Sequence, residues 1–186
     1  MMWTTGTIPK PVRLYMIFLK TAFETNFGWV GIELSNCRVS RSTLPHETKK
    51  DCSDEIALWT STESFQAHTF HPLIEKIKRY LSGHNENLTK IPIDTKNTSP
   101  FFKAAWNVCR TIPKGQTRSY KWLAINAGSP NAVRAAGQAM AKNKLPLLVP
   151  CHRIIGHNGS LTGFGRGAKQ LTLKQDLLKL ERVNLL

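Results

Sequence analysis

The chain is poor in several things that would each have named a class of protein. It has 4 cysteines in 186 residues, Cys37, Cys52, Cys109 and Cys151, with no Cys-x-x-Cys pair and no following histidine pair at zinc-finger spacing. Neither a disulfide framework nor a zinc finger is therefore indicated, and reduced thiols are the expectation. No apolar run approaches the roughly 20 residues of a membrane-spanning helix. The apolar run Leu14 to Leu19, preceded by Lys10 and Arg13, is short for a secretory core and is interrupted by Lys20, so it reads as a strand. An intracellular, cytoplasmic protein is expected, nuclear or nucleoid-associated where it sits on DNA. No internal repeat is evident.

The scarcest thing is acid in the second half. Residues 98–186 carry 14 Lys and Arg against 2 acids, Asp176 and Glu181, a net of +12; residues 1–97 carry 12 against 10, a net of +2. Nearly all of the net charge of +14 thus lies in one half, which points to an anionic partner, nucleic acid first. A generally basic solvated surface is the plainer alternative.

The chain divides at the same place. Asp94 to Pro100 reads as a linker between an N-terminal α/β domain, residues 1–97, and a mostly helical domain, residues 98–186. In the first, Val12 to Leu19 and Trp29 to Leu34 form a hairpin around Asn26-Phe27-Gly28. Residues 46–66 are polar and poorly patterned. Leu73, Ile74, Ile77, Tyr80 and Leu81 then share one face of a helix that Ser82-Gly83 stops.

In the second half Pro100 opens a helix through Phe102, Ala105, Trp106 and Cys109. Ser119 caps a short helix that Gly128 ends; Ser129 caps the next, with Pro130 at its first position, and that helix runs from Asn131 to Lys142. Two short helices about such a turn describe a helix-turn-helix. The second carries Ala132, Ala135, Ala136, Gly137 and Ala139, small enough to let its backbone approach another surface, with Arg134 the long side chain among them. A helical hairpin in a core would use alanines as well.

Downstream, Cys151-His152 sits in an apolar run between Pro146 and Pro150. A thiol is nucleophilic as the thiolate, and an adjacent imidazole is the usual means of producing it. A buried cysteine acting as a small hydrophobe satisfies the same pattern.

Pro150-Cys151-His152-Arg153-Ile154-Ile155 resembles the active-site signature of the O6-alkylguanine-DNA alkyltransferases, the methylated-DNA–protein-cysteine methyltransferases. The likeness runs through Thr117-Arg118-Ser119-Tyr120, Val133 to Met140, Asn143 and Leu161-Thr162-Gly163-Phe164-Gly165, and loosely through Gly28-Trp29-Val30-Gly31 and Leu44-Pro45-His46-Glu47. It implies a small ribonuclease-H-like N-terminal domain and a winged-helix-like C-terminal one. It implies irreversible, single-turnover transfer of the alkyl group from a flipped guanine to Cys151, with His152, Glu181 and Asn143 assisting. Arg134 would fill the gap in the stack and Tyr120 would press on the target phosphate. Lys121, Ser129, Arg118 and Arg153 would meet DNA through the minor groove, and Val149, Gly163, Phe164 and Gly165 would line the guanine pocket.

Lys144 stands where the family commonly has proline. Some members hold a structural zinc, but Phe18 and Ser42 replace the ligands that would join Cys37, so no metal and no cofactor is expected. A monomer acting on damaged duplex DNA is the leading expectation. A non-catalytic DNA-lesion-binding or regulatory helix-turn-helix protein is the alternative, and a cysteine hydrolase a third.

Overall fold

The computed structural model describes residues 18–59, 71–162 and 168–182. Three strands, β1 (Phe18–Thr25), β2 (Gly28–Ser35) and β3 (Arg38–Ser42), form an antiparallel sheet in sequence order. The hairpin turns where the sequence placed it, but β1 runs on to Thr25, six residues past the expected end at Leu19; the expected strand before Phe18 lies outside the described residues. Gly28 is required there. Its φ is +105°, and a Cβ would stand 2.2 Å from the His46 carbonyl oxygen, with which the Trp29 amide bonds at 2.7 Å.

Helix α1 (Lys49–Ala57) occupies part of the stretch that reads as unpatterned. Its apolar positions with any reach are Cys52 and Ile56, too few for a periodic signal over nine residues. The legible clue was local: Thr48 caps the helix, accepting from the Asp51 amide while its hydroxyl donates to the Asp51 carboxylate. Ile56 packs so tightly over Gly31 of β2 that a Cβ there would lie 2.4 Å from its methyl. Helix α2 (His71–Leu81) follows expectation, with Ile74, Ile77, Tyr80 and Leu81 buried.

In the second half, α3 (Pro100–Cys109) begins at Ser99 and buries Ala105, Trp106 and Cys109. Strand β4 (Arg118–Ser119) pairs in parallel with β5 (Ile154–Ile155), joining the start of α4 (Tyr120–Asn126) to the segment that follows Cys151. Ser119 caps α4 through the Trp122 amide at 3.1 Å, as read.

Helix α5 (Val133–Ala141) corrects the sequence reading. It starts two residues later than expected, Ala132 is its N-cap residue, and no side chain caps it. Ser129 instead closes the turn, its amide on the Ala124 carbonyl and its carbonyl receiving the Ala132 amide. The small residues also divide. Ala136 and Ala139 face the core, where the Trp106 indole donates to the Ala139 carbonyl at 2.8 Å; Ala132, Ala135 and Gly137 remain half-exposed.

Helix α6 (Ala168–Leu180) closes the fold with Leu177 and Leu178 fully buried, each worth about 1.5–3 kcal/mol. The architecture is mixed α/β, with two small sheets and six α-helices among the described residues. One hydrophobic cluster runs from Phe23 and Ile32 to Leu145 and Leu177, across both halves. Val39 bridges to Ile93, and Ser42 reaches into the second half, its amide on the Lys144 carbonyl and its hydroxyl on that of Pro146. No described helix is long and apolar enough to cross a membrane.

Candidate active site and nucleic-acid face

The segment carrying Cys151 is folded by a side chain. Asn143, just past α5, accepts the Leu145 amide on Oδ1 at 3.0 Å and donates from Nδ2 to the Val149 carbonyl at 2.9 Å and the Cys151 Sγ at 3.2 Å. One amide thus ties both ends of the loop and touches the sulfur. Within the loop Leu147 holds φ at +70°, unusual for a branched side chain; such conformations cost about 1–3 kcal/mol and persist where surroundings impose them. Here Ser42 grips the preceding carbonyl and the Leu147 side chain is buried. Pro150 then leads into a single 3-10 turn, Cys151–Arg153.

Behind the thiol lies a buried relay. His152 Nε2 is 3.1 Å from Glu181 Oε1, and both side chains are essentially sealed from solvent. Arg153 donates to both oxygens of the same carboxylate, at 2.7 Å from its terminal nitrogen and 3.0 Å from Nε, and gives its other terminal nitrogen to the Ile112 carbonyl at 2.6 Å. Burial alone would push the Glu181 carboxyl up, but His152 and the Arg153 guanidinium outweigh it and hold it well below the usual carboxylate range. An ionised carboxylate only accepts, so Nε2 must carry the hydrogen. The imidazole lone pair therefore sits on Nδ1, a buried atom with no hydrogen-bond partner among the described residues. Burial also lowers the His152 pKa against the pull of Glu181, which keeps the ring neutral and able to take a proton.

The Cys151 thiol is pushed up by burial, while the Asn143 amide and the Lys174 charge draw it back. Lys174, on α6, is itself buried, donating to the carbonyls of Ile154 at 2.6 Å and Thr162 at 2.8 Å. Burial brings its pKa down to about 8, with the two nearby thiols opposing. Cys151 lines a groove of about 800 Å³ together with Met140, Asn143 and Pro146 and, from the first half, Arg41 and His46.

Of the residues assigned to a nucleic-acid surface, Arg134 and Lys121 are exposed. Tyr120 donates to the Thr162 carbonyl at 3.1 Å, and Arg118 lies over the Trp122 ring while bonding Gln116. Ser129 is half-buried in the interhelical turn. Arg153 lies apart from this group: it is 5 % exposed and its guanidinium is taken up by Glu181. Val149 is fully buried, and its carbonyl is what the site uses. Gly163, Phe164 and Gly165 lie outside the described residues.

Three contributors escaped the sequence reading: Tyr80, Lys174 and Ser42. Tyr80 was legible only as a core position on α2, yet its hydroxyl donates to Glu181 Oε1 at 2.5 Å across 101 residues of sequence. Lys174 was one basic residue among many in its half.

A family model described as the 6-O-methylguanine DNA methyltransferase DNA-binding domain matches residues 100–183. The chain is 35% identical over 164 residues to the constitutive methylated-DNA–protein-cysteine methyltransferase of Bacillus subtilis, covering 88% of this chain and 95% of that one. The methyltransferase of that name from Methanosarcina acetivorans is 38% identical over 123 residues, 66% of this chain and 73% of that one. Among solved structures, the O6-methylguanine methyltransferase of Mycobacterium tuberculosis superposes with a TM-score of 0.72 at 26% identity, over 89% of this chain and 93% of that one. The OGT of that organism in complex with DNA gives 0.70 at 27%, over 88% and 92%. With likeness over nearly its whole length, the chain belongs to the methylated-DNA–protein-cysteine methyltransferase family.

Proposed function

We propose that this protein repairs O6-alkylguanine in duplex DNA by moving the alkyl group to Cys151, once per molecule. The observation that carries the reading is the junction at the sulfur. Asn143 touches Sγ at 3.2 Å, and the neighbouring histidine keeps a buried, unpartnered Nδ1 lone pair because Glu181 holds its other nitrogen. Cys151 gives its proton to His152 Nδ1 through a bridging water. The thiolate attacks the carbon on O6, an S–C bond forms as the C–O6 bond breaks, and the electron pair leaves on O6; the departing guanine is neutralised by the proton that His152 took from the thiol, returned through water. An unactivated thioether resists hydrolysis, and no group among the described residues is placed to cleave it, so the reaction stops there.

Chemistry on a base needs that base outside the stack. Arg134 enters the vacated position from α5, Tyr120 presses on the target phosphate, and Lys121, Arg118 and Ser129 contact the backbone. The half-exposed Ala132, Ala135 and Gly137 suit close approach in the minor groove, where sequence readout is slight. Arg153, buried and paired with Glu181, serves in the relay rather than on DNA, a reading its 5 % exposure supports. By the family resemblance, the guanine pocket would be lined by Val149, Gly163, Phe164 and Gly165. Residues 1–97 fold in the ribonuclease-H-like manner and 98–186 in the winged-helix-like manner, the protein acts as a monomer, and it works in the cytoplasm or on the nucleoid.

Mass spectrometry after incubation with an O6-methylguanine duplex tests this directly. One added methyl on the Cys151 peptide, with guanine restored in the DNA, is expected. Tight binding of the lesion with no methyl gained would instead make the protein a lesion-binding factor.

A further inference from the structure

The N-terminal half supplies one side chain to the buried relay. Tyr80, on α2, is 1 % exposed; its hydroxyl donates to Glu181 Oε1 at 2.5 Å and its oxygen stands 3.3 Å from His152 Nε2. Tyrosine, carboxylate and imidazole thus close a triangle, and Oε1 also receives Arg153 at 2.7 Å. Nothing in the packing of a helix requires a phenol here, since Ile74 and Ile77 fill the same face with hydrocarbon.

We propose that Tyr80 is a positioning residue of the relay: its hydroxyl engages Glu181 so that His152 stays neutral, with its lone pair free on Nδ1. This rests on reading Cys151 as the acceptor thiol. The physical argument is competition for one carboxylate oxygen. Each donor on Oε1 disperses its charge, and a short hydroxyl donor disperses more than a long one. A more concentrated charge at 3.1 Å would favour the imidazolium, which has no lone pair with which to take the thiol proton.

The other charges facing His152 are Arg153 on its own turn and Lys174 on α6, and both oppose the imidazolium. From the loop after α3, Lys114 stands 5.5 Å over the Tyr80 ring, a cation that makes the phenol a better donor. Burial and the Glu181 charge push the phenol pKa well up, so it remains a donor throughout the working range. The N-terminal half then acts on the chemistry through one hydroxyl, in addition to its packing.

The test uses the full chain. His152 is titrated by NMR in the unmodified protein and in Tyr80→Phe, with single-turnover methyl transfer measured over the same pH range. The expected result is an upward shift of the His152 midpoint in Tyr80→Phe, with transfer lost most at the acid end and recovering as pH rises. A folded Tyr80→Phe with an unmoved or lowered midpoint, or a loss uniform in pH, overturns the proposal. Fluorotyrosine at position 80 keeps the shape and strengthens the donor, so the midpoint should move down. Should Tyr80→Phe not fold, that variant decides alone, and an unmoved midpoint overturns the proposal. If the unmodified protein transfers no methyl, the acceptor reading fails, while the titration still decides whether Tyr80 sets the state of the imidazole.

Discussion

The two halves reach the site by different means. The second half supplies the thiol, its loop, the imidazole and the carboxylate on short, contiguous segments: Asn143, Cys151-His152-Arg153, Lys174 and Glu181. The first half supplies single atoms from elements whose main business is packing: the Ser42 hydroxyl from β3 and the Tyr80 hydroxyl from α2. The first set can be recognised as a pattern and the second cannot. A hydroxyl placed on a distant carbonyl or carboxylate leaves no spacing rule behind, yet both of these are buried and bonded across the boundary between the halves.

That contrast predicts a graded series. Cys151→Ala should abolish transfer while leaving DNA binding intact, checked by label transfer beside a gel-shift titration; loss of both would show the thiol segment also builds the DNA face. Glu181→Gln should come next. It leaves the buried Arg153 without its charge partner, a change that costs about 3–5 kcal/mol in comparable buried pairs. Urea unfolding would show it as a large fall in midpoint, and transfer should fall with it.

The same group sets the acid limit. Glu181 has a depressed folded pKa, so its contribution is present above the unfolded carboxylate range and lost as pH falls toward the folded value. His152 is also depressed, so the unfolded chain takes up its proton first, from about pH 6.5 downward. Both effects remove stability in acid. Unfolding free energy should therefore decline from about pH 6.5 and steepen through the carboxylate range, with Glu181→Gln flattening the lower part. A profile independent of pH there would contradict the buried relay.

Arg134→Ala should reduce transfer from duplex DNA more than transfer from the free base, because only the duplex requires the extruded base to be replaced. Equal losses on both substrates would place Arg134 in the chemistry instead. The smallest effect is expected of Ser42→Ala, which removes one buried hydrogen bond worth about 1 kcal/mol and leaves the Pro146 carbonyl short of a donor. A fall in transfer beyond the fall in stability would show that the first half orients the loop as well as supporting it.

A thiol beside an imidazole was open to reading from residues alone, while Asn143 and Glu181 came through the resemblance. All four stand together, because one short turn carries Cys151 and His152 and the other two lie just past the ends of α5 and α6. Helix α2 was legible from periodicity and the hairpin from its turn, though β1 lies further along than its apolar run suggested; α1 was not legible, since it has few apolar positions. The start of α5 was misread because a Ser-Pro pair imitates a cap, and here the chain spends those residues on the turn. Arg153 was expected to meet DNA through the resemblance; its burial against Glu181 is a property of the closed core.

The sequence by itself determined the chemistry on offer: a thiol beside an imidazole, two rare acids near the C-terminus, and a half so basic that nucleic acid was its first candidate partner. Those follow from residue type and local spacing. Only the tertiary structure decided which imidazole nitrogen is left to act, because that depends on where Glu181 and Tyr80 come to rest, 29 and 72 residues from His152 along the chain. A hydrogen bond needs its donor within about 3 Å, and no pattern along a chain can place two atoms that closely when the fold alone brings them together.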